Sequence, residues 1–357
     1  MIGEEPVSIQ TENIQLQRLK DRGLTMISPT SLSNRSGKEY PENEILEFIL
    51  AEPYSTISMY FIDNKYKEIV PVDSESELFL PRIPILHHSE ISGITDLIKD
   101  TGAILSSDRC ILTGNKDSNI SPFVILSIAC FSIFVKFFLT ILNKRREGEL
   151  TLQDLDYIDR IRSYDHKYVP STKIDQPIRG TNAKLMIGSA GRSLVSRKLV
   201  DSIFGNISVR EGEYLYISTS GSYLDDLENH IVKIPLNGSV ECEPAPSSET
   251  EVHRNIYKTI DGNTIIHGHP LFTVILSLDC KFPDCSSINN IPVVPSASTG
   301  PMGKPEVSVP DAIRNNGCVI VRGHGIFCSG NNNFDNSLKN MIDIENYCRE
   351  EYFRRLL

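Results

Sequence analysis

Short runs of β-branched and aromatic residues recur through the second half of the chain, each bounded by polar or glycine-containing turns. "YLYIST" from Tyr214, "NTIIHG" from Asn263 and "CVIVRG" from Cys318 are too short for helices and rich in strand formers, so they predict strands. Helical spacing separates them and closes the chain in "NFDNSLKNMIDIENYCREEYF" from Asn333, an amphipathic pattern. Strands alternating with helices predict an α/β fold.

One run breaks the amphipathic rhythm. "SPFVILSIACFSIFVKFFLTILNKRR" from Ser121 is apolar over a length that could span a bilayer and ends in Lys144, Arg145 and Arg146. Lys136, Ser127, Ser132 and Thr140 interrupt it, and a helix apolar all round is also what a fully buried element looks like.

Internal similarity decides between these readings. "PENEILEFILAEPYSTISMYFID" from Pro41 aligns with "SETEVHRNIYKTIDGNTIIHGHP" from Ser248. "RIPILHHSEISGITDLIKDTGAILSSDRCILTG" from Arg82 aligns with "NIPVVPSASTGPMGKPEVSVPDAIRNNGCVIVRGHGIFCSG" from Asn290. Each copy shows a short "IP(I/V)(L/V)" strand, a loop, a helix ending in glycine, then a buried strand and a turn. The apolar run then falls on the amphipathic C-terminal helix, which predicts that residues 122–142 are a core or interface helix rather than a span. The organisation expected is a first copy over 1–150, a linker carrying a short helix over 151–180, and a second copy over 181–357.

With 357 residues, 40% of them hydrophobic and 23% charged, the chain can build two globular cores. A net charge of −10 points away from nucleic acid, whose phosphates need a basic surface. The opening "MIGEEPVSIQ" lacks a basic and then apolar leader, so a cytoplasmic protein with its eight cysteines reduced is expected. Cys280 and Cys285 match no strong zinc spacing.

Candidate chemistry sits in the second copy. His267 and His269, in "NTIIHGHP", are two apart at a strand end, so both imidazoles can face one ion. His324 stands between two glycines after the strand of Val319, Ile320 and Val321, where the backbone can turn and approach a ligand closely. Three histidines with an open fourth position are how a catalytic zinc is held. Upstream, "PSSETEVH" offers Glu249, a carboxylate able to ligate a metal or move a proton, and His253, expected to pack or hydrogen-bond within its helix. In the alignment the first copy has Tyr60, Ile62 and Arg109 where the three histidines stand, so it should hold no catalytic metal. His87 and His88 read as surface or packing residues.

This ordered set, "SSE…H", then the HxH strand end, then "HG", resembles the class II aldolase/adducin family over about Gly191 to Leu357. The resemblance implies a three-layer α/β/α domain, present here twice in tandem. It implies zinc, or another divalent metal, on His267, His269 and His324, with Glu249 as catalytic acid/base in enediolate chemistry. The family's phosphate pocket would fall on Gly205 and Asn206 of "FGNISVR", Ser220 and Gly221 of "ISTSGSY", and Ser247 and Ser248 of "PSSE", although each alone is ordinary turn chemistry. Small residues there let backbone N–H groups and hydroxyls surround an anion. A lyase acting on a small, phosphorylated sugar or hydroxy-ketone is implied, working as a homo-oligomer. Epimerases, dehydratases and decarboxylases of the family use the same metal site, and adducin keeps the fold without the chemistry. A cupin would need a glutamate soon after the HxH pair, and "HGHPLFTV" has none. The insertion "CKFPDCSSINN" departs from the family pattern near the mouth of the site, and the tyrosine that members receive from a neighbouring subunit has no assigned match.

Overall fold

The computed structural model describes residues 25–27, 45–86, 94–107, 110–114, 120–164, 182–201, 203–238, 242–280, 285–296 and 309–357. The chain divides into two compact units, Met1–His166 and Lys167–Leu357.

The first unit holds a six-stranded mixed sheet built from β1 (Thr25–Ile27), β2 (Ile45–Ile49), β3 (Glu68–Ile69), β4 (Ile83–Leu86), β5 (Ala103–Ser106) and β6 (Cys110–Gly114), in the order β1-β2-β6-β5-β4-β3. Its helices are α1 (Tyr54–Asp63), α2 (Ser74–Phe79), α3 (Ile94–Thr101), α4 (Pro122–Glu147) and α5 (Leu152–Tyr164). Helix α3 lays Ile94 and Ile98 on Ile104 and Leu112 of the sheet.

The long apolar run is α4, and its ends are set by local chemistry. The Ser121 hydroxyl accepts from Phe123 N, Pro122 takes the first helical position, where no donor is lost, and Gly148 closes the helix in the left-handed region at φ 73°. Lys144, Arg145 and Arg146 occupy the last turn, where their charge meets the helix dipole. By length and composition α4 could cross a membrane. Here it packs on β5, β6, α1 and α2 of its own unit, with Ile125, Val135, Phe137 and Ile141 fully buried.

The second unit holds an eight-stranded sheet: β7 (Asn206–Glu211), β8 (Tyr214–Ser218), β9 (Ile231–Pro235), β10 (Thr264–Gly268), β11 (Ser287–Ile288), β12 (Ile291–Val294), β13 (Cys318–Val321) and β14 (Gly325–Gly330), in the order β11-β12-β13-β14-β10-β7-β8-β9. Helices α6 (Ala183–Ser196), α7 (Thr250–Tyr257), α8 (Leu271–Asp279), α9 (Val309–Asn316) and α10 (Asp335–Leu356) cover it. Alternation along the strands sends Ile265, Val319, Val321 and Phe327 to the face packed by Ile256 and Tyr257 of α7 and Ile313 of α9. Helices α6 and α10 pack against the sheet from other positions, and α8 packs on α10.

The two sheets share a path. Reading β3-β4-β5-β6-β2-β1 against β11-β12-β13-β14-β10-β7, the first, third, fourth and fifth pairings are antiparallel in both and the second is parallel in both. The second sheet adds β8 and β9 beyond this shared frame.

Three expectations need correction. The pairings Ser106↔Cys110 and Val321↔Gly325 close equivalent turns, which puts Glu47, opposite Leu112, where His267 stands opposite Phe327. Ile49 then takes the place of His269, while Tyr60 and Ile62 lie in helix α1. Both "YFID" and "IIHG" are short apolar runs, and apolarity alone does not tell helix from strand. Arg109, like His87 and His88, lies outside the described residues. Second, α5 lies within the stretch read as linker, yet it packs on α1, and Tyr157 of α5 hydrogen-bonds Asp63 of α1. Its helical part therefore belongs to the first unit. Third, Cys280 and Cys285 form a disulfide, which contact order along the sequence could not reveal.

If α4 is a core helix, Phe137 is a fair test. It is fully buried between the Tyr60 and Phe138 rings, at 4.9 and 5.2 Å between centroids. Phe137→Ala should destabilise the first unit by about 3–5 kcal/mol in denaturant unfolding. An unchanged transition would contradict its place in the core.

Candidate metal centre

Strand β10 ends in the two histidines. His267 pairs with Phe327 across to β14, and His269 follows one residue beyond the strand, its N–H donating to Leu199 O at 3.0 Å. Being two apart they converge: the two Nε2 atoms are 2.9 Å apart. His324 comes from the three-residue turn between β13 and β14, and its ring stacks on His267 at 5.0 Å and 11°. A nitrogen from each of the three lies within 4.8 Å of the others, and all three residues are buried.

The surrounding structure fixes these rings. The His267 ring stacks on Phe327 at 4.0 Å, and its Nδ1 meets the carbonyl of Ile326 at 3.0 Å. A carbonyl only accepts, so Nδ1 carries the proton and Nε2 offers a lone pair to the centre. His269 lies against the Phe204 ring at 5.4 Å. The His324 turn is braced by α8: Gly323 N donates to Ser277 Oγ at 2.9 Å, and the Arg322 guanidinium donates to the carbonyls of Leu278 and Cys280 at 3.0 and 3.2 Å. Those carbonyls belong to the end of α8, where orphan acceptors favour a cation.

Glu249 caps the start of α7 and faces the cluster. Its Oε1 is 3.2 Å from His324 Nε2 and its Oε2 is 3.3 Å from His267 Nε2. Burial works to raise this carboxyl, but the positive charge of His267 first and then His324 in their protonated forms, with the Asn206 amide, outweighs it and holds it well below the usual carboxylate range; with the imidazoles neutral, a bound cation would supply that pull. Burial, together with His267 and His324 alongside, pushes the His269 imidazole well below its ordinary value, so it is neutral. Imidazole lone pairs and a carboxylate thus converge on one buried point. Acceptors in that arrangement are satisfied by a cation, and this set of nitrogens and oxygen suits a divalent ion with a position left for another oxygen.

The pocket residues implied by the resemblance lie beside this centre. Gly205 has φ 77°, and a Cβ there would sit 2.6 Å from His267 O, so glycine is required for the chain to pass the metal strand. Asn206 follows, and its Nδ2 donates to Glu249 Oε2 at 2.7 Å. The segments holding Ser220 and Ser247 run side by side, through Ser220 N to Ala245 O and Ser247 N to Ser218 O, each 3.0 Å. Ser220, Gly221 and Ser248 are exposed, whereas Ser247 is buried and its hydroxyl accepts from Glu249 N at 3.3 Å. His253 packs, as expected, buried against the Phe327 ring at 5.8 Å, but its hydrogen bonds run across to strand β7, to Asn206 Oδ1 and Ser208 Oγ at 2.6 Å each, rather than within its own helix. Burial pushes its pKa down to about 3. Arg322 and Ser277 escaped sequence reading because their partners are far along the chain and no motif marks them.

Residues 186–352 match the class II aldolase and adducin N-terminal domain. An L-fuculose phosphate aldolase of Methanocaldococcus jannaschii is 33% identical over 156 residues, covering 42% of this chain and 84% of the relative. That of Haemophilus influenzae is 29% identical, covering 40% of this chain and 74% of the relative. The solved L-fuculose-1-phosphate aldolase of Thermus thermophilus is 24% identical, spans 48% of this chain and 94% of its own, and superposes with a TM-score of 0.40. Through its second unit the chain belongs to the class II aldolase and adducin family.

A Cβ at Gly325 would lie 2.3 Å from Gly268 O and 2.7 Å from the His269 ring. Gly325→Ala should therefore cost about 1–3 kcal/mol in denaturant unfolding and disturb the histidine ring signals in NMR. Unchanged stability and spectra would mean the turn has slack that this packing denies.

Proposed function

We propose that the second unit is a divalent-metal lyase, most simply with zinc, that cleaves a carbon–carbon bond beside the carbonyl of a small phosphorylated sugar or hydroxy-ketone. The observation that carries this reading is the convergence of His267, His269 and His324 with Glu249 at one buried point. Family membership and relatives named as sugar-phosphate aldolases support it. When bound, the ion would supply Lewis acidity at the substrate's carbonyl and neighbouring hydroxyl oxygens.

The chain's own residues supply the rest. Breaking the bond leaves an electron pair on the carbon next to the carbonyl. The other fragment leaves as a carbonyl compound, and its former hydroxyl releases a proton. Glu249, ionised at the start, would take up that proton and deliver it to the carbon bearing the electron pair, and in the reverse direction would remove one there. The substrate's phosphate would rest against the exposed turn of Ser220 and Gly221 and against Ser247 and Ser248. Binding energy spent there, away from the reacting carbons, orients them. On this reading the partner is a small molecule rather than nucleic acid or membrane, the protein is cytoplasmic and works as a homo-oligomer. The first unit is a degenerate copy without the metal centre: Glu47 and Ile49 stand where His267 and His269 would, and the shared strand path supports common descent.

Purified protein should carry about one divalent ion per chain, and His267→Ala combined with His324→Ala should abolish it. Full metal content in the double variant would sink the ligand assignment. Glu249→Gln keeps the shape of the side chain and removes its basicity, so turnover of sugar phosphates should fall on the order of a hundredfold while metal stays bound. Undiminished turnover would move the acid/base role elsewhere.

A further inference from the structure

Behind Glu249 a line of buried polar groups runs inward from the metal centre. Asn206 Nδ2 meets Glu249 Oε2 at 2.7 Å, and Asn206 Oδ1 meets His253 Nε2 at 2.6 Å. His253 Nδ1 meets Ser208 Oγ at 2.6 Å, and Ser208 Oγ meets the Tyr257 hydroxyl at 2.8 Å. Asn206, Ser208, His253 and Tyr257 are all buried, so no member can trade its partner cheaply for water. Two come from strand β7 and two from helix α7, so the line ties the helix that starts at Glu249 to the sheet.

The direction of every bond in this line follows from one end. Asn206 turns its amide nitrogen, which can only donate, to Glu249 Oε2 and its oxygen to His253. That oxygen can only accept, so His253 must carry its proton on Nε2. Neutral imidazole then has a lone pair on Nδ1, and Ser208 must donate to it. With its one proton spent, Ser208 Oγ can only accept from the Tyr257 hydroxyl, which the carbonyls of Ser208 and Asn263 also face at 3.1 and 3.3 Å. Asn206, His253 and Ser208 each have one orientation, set by the next.

Resting on the lyase reading above, we infer that Tyr257, Ser208, His253 and Asn206 form a one-way hydrogen-bond relay that holds Oε2 of Glu249 and leaves Oε1 as the oxygen that exchanges the proton. His253 is the positioning residue at its centre. It makes no hydrogen bond to the three metal-centre histidines and is placed in neither the metal centre nor the phosphate pocket; it fixes Asn206 of that pocket, and Asn206 fixes the carboxylate. A carboxylate free to rotate would present either oxygen to the reacting carbon and spend much of its time misaligned. The relay accounts for a histidine four residues after Glu249 on the buried face of α7, a position that metal binding and core packing leave unexplained.

Two measurements test this. In the intact, metal-loaded protein, nitrogen-15 NMR of the histidine rings should show His253 neutral with its proton on Nε2. A proton on Nδ1, or an imidazolium, overturns the relay, and this holds whether or not any variant folds. For kinetics, His253→Leu keeps bulk and removes both ring nitrogens, while His253→Gln keeps a donor near the Nε2 position. His253→Leu should lower kcat by roughly tenfold to a hundredfold, with KM and metal content unchanged. His253→Gln should recover most of that loss. Equal kcat in the two variants, or a loss carried by KM or by metal content, would contradict a positioning role. If the wild-type protein cleaves no sugar phosphate, the reaction proposed above fails, and the His253 tautomer decides on the relay alone.

Discussion

The antiparallel register between β10 and β14 is the constraint on which the chemistry of the second unit depends. It sets His267 against Phe327, whose ring carries it, and brings Gly325 so close to Gly268 O that no side chain fits there. A slip of one residue would turn His267 to the opposite face of the sheet, toward Met341 of α10, and separate it from Glu249 on α7. The turn before β14 delivers His324, and its position is fixed independently by Arg322 and Ser277. Three imidazoles and a carboxylate can be buried together because each is oriented by a neighbour and all face one point. Without a cation such a gathering of acceptors would be costly.

The first unit follows the same strand path, and its described residues do not repeat this chemistry. Glu47 and Ile49 occupy the equivalent positions on β2, and both strands lead into a helix, β2 into α1 and β10 into α8. Its longest helix, α4, is apolar on nearly every side, where α10 in the second unit is amphipathic. The difference lies in what each must bury. Helix α4 packs against the sheet and two further helices, whereas α10 keeps a charged side, with Glu351 paired to Arg354 and Arg355.

Much of this was legible in the residues because it is local. Two histidines at spacing two on a β-branched run declare a shared face, and glycines on either side of His324 declare a tight turn. Glu249, following two serines, opens its helix as the sequence pattern suggests. What stayed hidden depends on contacts through space. The partners of His253 lie on a strand more than forty residues earlier, so nothing in its own helix betrays them. Alignment of the two copies placed Tyr60 and Ile62 on a strand because short apolar runs look alike; only hydrogen-bond register separates them. The Cys280–Cys285 disulfide likewise needs the backbone to fold back, which spacing alone does not announce.

The central claim is that His267, His269 and His324 close around one ion. X-ray absorption at the edge of the metal that copurifies with the full chain reads its ligand shell directly. Three imidazole nitrogens at about 2.0–2.1 Å, completed by oxygen, are the expected result for zinc. A shell containing sulfur, or one made of oxygen alone, would place the ion elsewhere and contradict the account.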